Sequence, residues 1–286
     1  MRIVFALVAA FVMMSSCATK KEVGIQIYSV RQSFNNIEAA LDSLSAIGYT
    51  TIETLNGGGD PKCFGYSADE FKALCDSRSL SISSTHGAVN FDRTNEVATI
   101  EKWRALFSSL KTMGAKYCVI PGYHFGSTLE EVKATCDHLN RVGEIAWEYD
   151  LKLGYHNHKG DFDKVEGETI LDYVIANTDA DKLFIELDVC EHNMGEANPM
   201  DYLVAYPERI QVLHLKDDGV LGASGKVDFD ALLQRFAANG WCDTYVEYEL
   251  PFNLGDDAAQ NEKNMQQLWQ GVRECWQWMQ NNEWIK

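Results

Sequence analysis

Residues 183–217 read LFIELDVCEHNMGEANPMDYLVAYPERIQVLHLKD, and this stretch decides the fold. Leu183 to Asp188 is a short apolar run of the length and branching that suit a strand buried on both faces. Asn198-Pro199 follows as a helix cap and first helical residue, ahead of an apolar segment from Met200 to Tyr206. Ile210 to Lys216 is a second buried strand. The stretch is therefore one strand–helix–strand unit. Each strand runs into polar side chains at its C-terminal end: Asp188 on the first, and His214-Leu215-Lys216-Asp217 on the second.

The same rhythm extends in both directions. Upstream, strands are predicted at Val23 to Val30, Thr50 to Leu55, Leu80 to His86, Tyr117 to Pro121 and Leu151 to His158. Between them, helical periodicity covers Ile37 to Ile47, Ser67 to Arg78, Glu96 to Met113, Thr128 to Tyr149 and Glu168 to Asn177. Ser67 with Glu70, and Thr128 with Glu131, have capping-box spacing. Downstream come a helix at Asp228 to Ala238, a strand at Thr244 to Tyr248 and a last helix at Ala258 to Gln280. Eight such units with short connections predict an α/β protein, a single-domain (β/α)8 barrel over residues 23–286. An open doubly wound sheet would favour a glycine-rich phosphate loop after strand one, where this chain has Tyr28-Ser29-Val30-Arg31.

Composition narrows the function classes. The chain has 286 residues, 25 Lys plus Arg against 42 Asp plus Glu, and a net charge of −17. A field of that sign repels phosphate backbones, so nucleic acid is not an expected partner. Carboxylates do favour cations. The first residues read as an export signal: Arg2, the apolar run Ile3 to Met14, then Ser15-Ser16-Cys17. Residues 1–16 are the expected signal peptide, Cys17 the lipidated cysteine, and 17–22 a short tether. The expected location is the bacterial cell envelope, on the periplasmic side, with the membrane reached only through the lipid. Seven further cysteines form no CxxC pair, so neither a zinc ribbon nor a redox motif is predicted.

In a barrel of this kind the active site lies at the strands' C-terminal ends. Those ends carry Glu53, His86, His124, His156-Asn157-His158, Asp188, His214, Lys216-Asp217, and Glu247 with Glu249. Five of the seven histidines sit there, His192 lies in a loop, and His138 alone is helical and expected at the surface. Alternate strand residues share a face, which groups His156 with His158, Glu186 with Asp188, His214 with Lys216, and Glu247 with Glu249. Asp188, His214 and Glu247, joined by a strand-five histidine, can enclose a divalent cation. Mixed nitrogen and oxygen donors suit Mn²⁺, Co²⁺ or Zn²⁺ better than Mg²⁺. A lone strand-end histidine also serves plain hydrogen bonding, and Glu53 or Glu249 could pair with a lysine or cap a helix.

The segments GIQIYSVR (24–31), GYTTIET (48–54), LGYHNHKGDF (153–162), ELDVCEHNMGEANP (186–199), RIQVLHLKD (209–217), GKVDF (225–229) and YVEYE (245–249) resemble the xylose isomerase-like barrel superfamily. It is often labelled sugar phosphate isomerases/epimerases and includes endonuclease IV-type enzymes. The resemblance covers Gly24 to Trp278 and implies a metal held by Asp188, His214 and Glu247, with His158 the expected fourth ligand. It also implies Glu247 as a base and substrate hydroxyls bound by Lys216, His86 and Glu53; with the other strand-end residues, the expected catalytic set is His156, His158, Glu247 and Lys216, and the expected substrate contacts are Glu53, His86, His124 and Glu249. Ketose epimerases of the family carry a metal-binding Glu on strand five where this chain has Gly154. His156 or His158 would stand in, or Asp161, Asp163 or Glu166 from the next loop. Glu191, with His192 beside it, stands where those enzymes have a strand-six histidine. These departures argue against two-carboxylate epimerisation.

The expected activity is that of a metal-dependent isomerase/epimerase or keto-sugar lyase/hydratase working on an unphosphorylated carbohydrate through an enediolate. A homo-oligomer is compatible with the pattern. The rival readings are a non-catalytic carbohydrate-binding barrel and an endonuclease IV-type nuclease. Charge and export oppose the second.

Overall fold

The computed structural model describes residues 23–57 and 59–285. The expected signal peptide, Cys17 and the tether lie outside them. Eight parallel strands form a closed barrel: β1 (Gly24–Gln26), β2 (Thr51–Asn56), β3 (Ser81–Gly87), β4 (Tyr117–Ile120), β5 (Lys152–His156), β6 (Phe184–Asp188), β7 (Ile210–Leu215) and β8 (Asp243–Val246). Each pairs with its neighbours in sequence, and β8 closes on β1 through Gly24↔Tyr245. The helices that follow are α1 (Ile37–Ile47), α2 (Ala68–Asp76), α3 (Glu96–Met113), α4 (Leu129–Trp147), α5 (Ile170–Asn177), α6 (Pro199–Ala205), α7 (Phe229–Ala238) and α8 (Ala258–Asn281). The (β/α)8 barrel read from the sequence is the observed fold.

Capping explains where several helices begin. The Ser67–Glu70 capping box starts α2, and Asn198 Oδ1 accepts the Met200 amide with Pro199 at the first helical position of α6. Thr128 caps α4 by accepting the Glu131 amide, but the Glu131 carboxylate reaches the Ser127 amide at 2.7 Å. Gly48 ends α1 in the left-handed region (φ 119°), where a side chain would be strained.

Three of the boundary differences from the sequence reading shape the site, and in the first two a side chain captures a backbone amide. Strand β1 stops at Gln26 instead of Val30: Gln26 Oε1 accepts the Tyr28 amide, and 3-10 turns occupy Ile27–Asn36. Strand β5 stops at His156 because Asp161 Oδ2 accepts the His158 amide at 2.7 Å and turns the chain into a 3-10 segment, Lys159–Phe162. The fifth helix begins at Ile170, after a small antiparallel hairpin, Lys164–Val165 with Glu168–Thr169. Its turn, Glu166-Gly167, has positive φ at both residues, as a type I′ turn requires. A single helical turn, Glu191–Met194, also precedes α6.

Two apolar cores result. The larger lies between sheet and helices and takes the outward strand residues, among them Ile25, Ile52, Leu187, Leu213 and Val246. The smaller lies inside the barrel and consists of Tyr117, Val119, Phe184, Val212 and Tyr245. Tyr117 and Phe184 meet edge to face at 5.2 Å. Below them Tyr245 Oη is 2.7 Å from Ser83 Oγ, and Tyr117 Oη donates to Asp243. This plug explains Gly154: a Cβ there would lie 2.4 Å from Phe184 Cζ. The Phe184 ring occupies the space that a strand-five side chain would need.

Gly154→Ala is expected to cost about 1–3 kcal/mol of stability by overpacking this plug. Adding Phe184→Leu in the same chain should recover part of that loss, as read from denaturant unfolding of both variants and the double variant.

Candidate metal centre

Above the plug the barrel interior turns polar, in two storeys. The upper storey gathers His156 from β5, Asp188 from the end of β6, His214 from β7 and Glu247 just beyond β8. All four are buried, and each offers one donor atom such that all four atoms lie within 4.8 Å of one another. His156 Nε2 is 3.8 Å from Asp188 Oδ2, and His214 Nδ1 is 3.2 Å from Glu247 Oε2. The lower storey holds Glu53, His86 and Glu186, with Gln26 and Ser84 beside them. Glu186 Oε2 lies 2.8 Å from His86 Nε2 and 3.1 Å from His156 Nδ1. Glu53 Oε2 lies 3.0 Å from His214 Nε2, 3.1 Å from His86 Nε2 and 2.9 Å from Gln26 Nε2, while Ser84 Oγ donates to Oε1 at 2.6 Å.

Strand register produces this stacking. Inward residues alternate along each strand, so Phe184, Glu186 and Asp188 stand on plug, lower storey and upper storey in turn; on the eighth strand Tyr245, in register with His214, belongs to the plug and Glu247 to the upper storey. Past the end of β5, Asn157 Oδ1 accepts the Asp188 amide at 2.9 Å and continues the strand pairing through a side chain. The Asp188 carboxylate is aimed by the Cys190 amide on Oδ1 and by Asn193 Nδ2 on Oδ2.

The protonation pattern follows from burial and neighbours. Burial would raise Glu53, but His86 and His214 outweigh it and hold the carboxyl well below its ordinary range. Burial and the Glu53 charge push Glu186 up to about 7, and burial lifts Asp188 to about 6. Against burial, Glu53 and Glu186 raise His86 to about 9, and Glu186, Glu247 and Glu53 hold His214 well above its ordinary value. His156 is depressed by burial and then by His214, His86 and His158. The acids and imidazoles thus share protons in a low-dielectric pocket, where four carboxylates and no cation would be costly.

Three other residues named from the sequence stand at the rim. His158 lies just past the strand, exposed, with its ring edge to face on His156 at 4.9 Å, and burial of part of the ring lowers its pKa. Lys216 Nζ is 2.6 Å from Glu249 Oε1 and 3.4 Å from Glu247 Oε2; Arg31 holds the other Glu249 oxygen at 3.3 Å. His158 is not in the four-residue group, and His156 takes the place expected for it. Glu53, expected at a substrate, is fully buried beneath the imidazoles with both oxygens on donors of the chain itself.

His124 is exposed and lines a separate groove with Asn90, Arg93 and Glu131. Asp161, considered as a ligand from the loop, is turned away: its Oδ1 accepts from Tyr155 Oη and its Oδ2 from the His158 amide. His138, expected at the surface, is buried and stacks on Phe91 at 4.0 Å. Glu186, Asn157 and Asn193 were not singled out for the site. Glu186 shares the Asp188 face, so parity alone could have found it, whereas the two asparagines act on partners that only the folded chain brings near.

Comparison with known proteins gives a consistent picture. The family described as xylose isomerase-like TIM barrel matches residues 41–274. An inosose dehydratase of Clostridium beijerinckii is 26% identical over 200 residues, which cover 64% of this chain and 64% of the relative. The chain thus spans less than two thirds of that relative's length. A sugar phosphate isomerase/epimerase from Parabacteroides distasonis has 28% identity and a TM-score of 0.80, covering 93% of this chain and 100% of that one. The IolI protein, solved with a bound zinc atom, shares the fold at 17% identity and a TM-score of 0.63, over 90% of this chain and 95% of that one.

Asp161→Ala removes two hydrogen bonds, the one from Tyr155 buried and the one from the His158 amide partly so, and is expected to cost about 1–3 kcal/mol in denaturant unfolding. The same change should release His158, seen as a narrowed ring resonance for His158 with the His156 resonance unmoved.

Proposed function

This chain belongs to the xylose isomerase-like TIM barrel family, and from that premise we propose that it is a divalent metal-dependent enzyme of the sugar isomerase, epimerase or dehydratase type. Its substrate is an unphosphorylated keto-sugar, enolised at the carbon next to the ketone. The observation that carries the reading is the upper storey: two imidazoles and two carboxylates, buried, with a donor atom of each within 4.8 Å of the others. The donor set fits a cation. His214 Nδ1 is buried without a hydrogen bond although a carboxylate oxygen stands 3.2 Å away, an arrangement a shared cation would satisfy. The names of the dehydratase and of the zinc-bearing IolI support sugar chemistry and a metal, respectively.

His156, Asp188, His214 and Glu247 would hold the metal, and His158 is assigned outside the ligand set. A bound divalent cation supplies Lewis-acid polarisation of a carbonyl oxygen. The chain's own groups do the rest. Lys216 stays protonated between Glu247 and Glu249, so its ammonium donates to a substrate oxygen and stabilises negative charge that develops there. His158 is exposed and its depressed pKa leaves the imidazole neutral near pH 7, so it accepts the proton from the carbon and returns it to a carbon or to a departing hydroxyl. Return to carbon gives isomerisation, and delivery to the hydroxyl gives dehydration. Both rim cations, Lys216 and Arg31, are already paired with Glu249, which supports a neutral sugar over a phosphate ester. Export and lipidation at Cys17 belong to the same reading, supported by the Ser15-Ser16-Cys17 pattern.

The test is solvent-deuterium exchange into a panel of 2-keto and 3-keto sugars with Mn²⁺ present. Exchange is expected at the carbon beside the ketone, lost on chelation and restored by added metal; no exchange across the panel would overturn the proposal. His214→Ala is expected to lose both stoichiometric metal and turnover. A protein that purifies without metal and binds sugars unchanged after chelation would be a carbohydrate-binding barrel instead.

A further inference from the structure

The lower storey has no role in the reaction outlined above, yet it holds two glutamates that are completely buried. Each sits on the far side of one upper-storey imidazole. His156 points Nε2 toward Asp188 and Nδ1 toward Glu186; His214 points Nδ1 toward Glu247 and Nε2 toward Glu53. The two rings are thus used in opposite orientations with the same result: one nitrogen up, the other down onto a carboxylate.

We propose that Glu186 and Glu53 are positioning residues that take the N–H of His156 and His214, respectively, and so leave the upward nitrogen of each ring as the one available to the metal, that of His214 once its second proton has left. This rests on the metal reading above. A carboxylate oxygen accepts and a neutral imidazole carries one hydrogen, so an acceptor below a ring puts the hydrogen below. The effect is largest at His156, where the two acceptors compete: Glu186 is 3.1 Å from Nδ1, and Asp188 is 3.8 Å from Nε2. Without Glu186 the nearer remaining carboxylate is Asp188, and the hydrogen would move to Nε2, the nitrogen a metal needs. His86 completes the device. Its Nε2 lies 2.8 Å from Glu186 and 3.1 Å from Glu53, and so keeps two like charges side by side. Gln26 and Ser84 fix Glu53 in place from the remaining sides.

The test uses the full chain, stripped of metal, with two readouts. Nitrogen-15 correlation spectra of the histidine rings report the tautomer of His156, and competition with a chromogenic chelator reports the dissociation constant for Zn²⁺. Wild-type protein is expected to show His156 as the Nδ1–H form. Glu186→Leu is expected to show the Nε2–H form and to bind Zn²⁺ about 10–100-fold more weakly, the usual size of such outer contacts to a metal ligand. Glu186→Gln keeps an acceptor, so it should retain the Nδ1–H form and lose less affinity than Glu186→Leu. An Nε2–H His156 in the wild type, or Zn²⁺ affinity in Glu186→Leu equal to wild type, would overturn the proposal. If Glu186→Leu does not fold, the wild-type tautomer and Glu186→Gln decide: a shift of Glu186→Gln to Nε2–H counts against the role assigned. Wild-type protein without measurable Zn²⁺ affinity would sink the metal reading itself, and the tautomer readout tells that failure apart from this one.

Discussion

Everything at the mouth of this barrel depends on how four buried carboxyl groups tolerate one another. Glu53, Glu186, Asp188 and Glu247 all lie within the barrel's upper half, nearly or wholly out of water. Ionised and alone, they would repel strongly in a medium of low dielectric. Three imidazoles interleave with them, and the result is a stack in which acid and base alternate from the plug upward. Protons are distributed within that stack as neighbours dictate: Glu53 keeps its charge, Glu186 and Asp188 give theirs up more readily, and His86 and His214 carry the compensating protons. A divalent cation entering the upper storey would replace several of those protons at once, which links metal uptake to proton release.

The architecture was readable in the sequence because eight strand–helix periods follow one another with short connections and no glycine-rich loop after the first strand. Even the polar layers were partly readable. Inward phase picked out Asp188, His214 and Glu247 from the linear order, and the folded chain does bring their donor atoms together. Phase failed where a side chain cut a strand short. The sequence treats His156 and His158 as equivalent partners on one face, but Asp161 captures the His158 amide, ends the strand at His156, and leaves His158 at the rim in contact with water. A capture of this kind depends on a residue three positions further on, and no periodicity records it.

Gly154 shows a different limit. As a gap in an expected ligand pattern it looks like a loss of function. In the folded chain it is a packing decision: the Phe184 ring sits where a side chain from β5 would project, and Gly24 makes the same concession to Tyr245, whose Cδ1 would lie 2.6 Å from an added Cβ. The buried donor that β5 contributes to the upper storey stands two residues along the same strand, at His156. The chemistry of a strand end is thus set jointly by the residue that points inward and by the bulk of its neighbour one strand away. His138 tells the same story on the helical side, since its burial comes from Phe91 folding over it in a loop whose path the helix pattern does not contain.

The aromatic plug has one more consequence. Tyr117, Phe184 and Tyr245 fill the tube beneath the polar storeys and leave no way through it from below. Under the proposed activity, a molecule that reacts against the imidazoles would leave along the path by which it came. Departing product and incoming reactant therefore contend for one passage, and a product lingering there would act as a competitive inhibitor of its own formation.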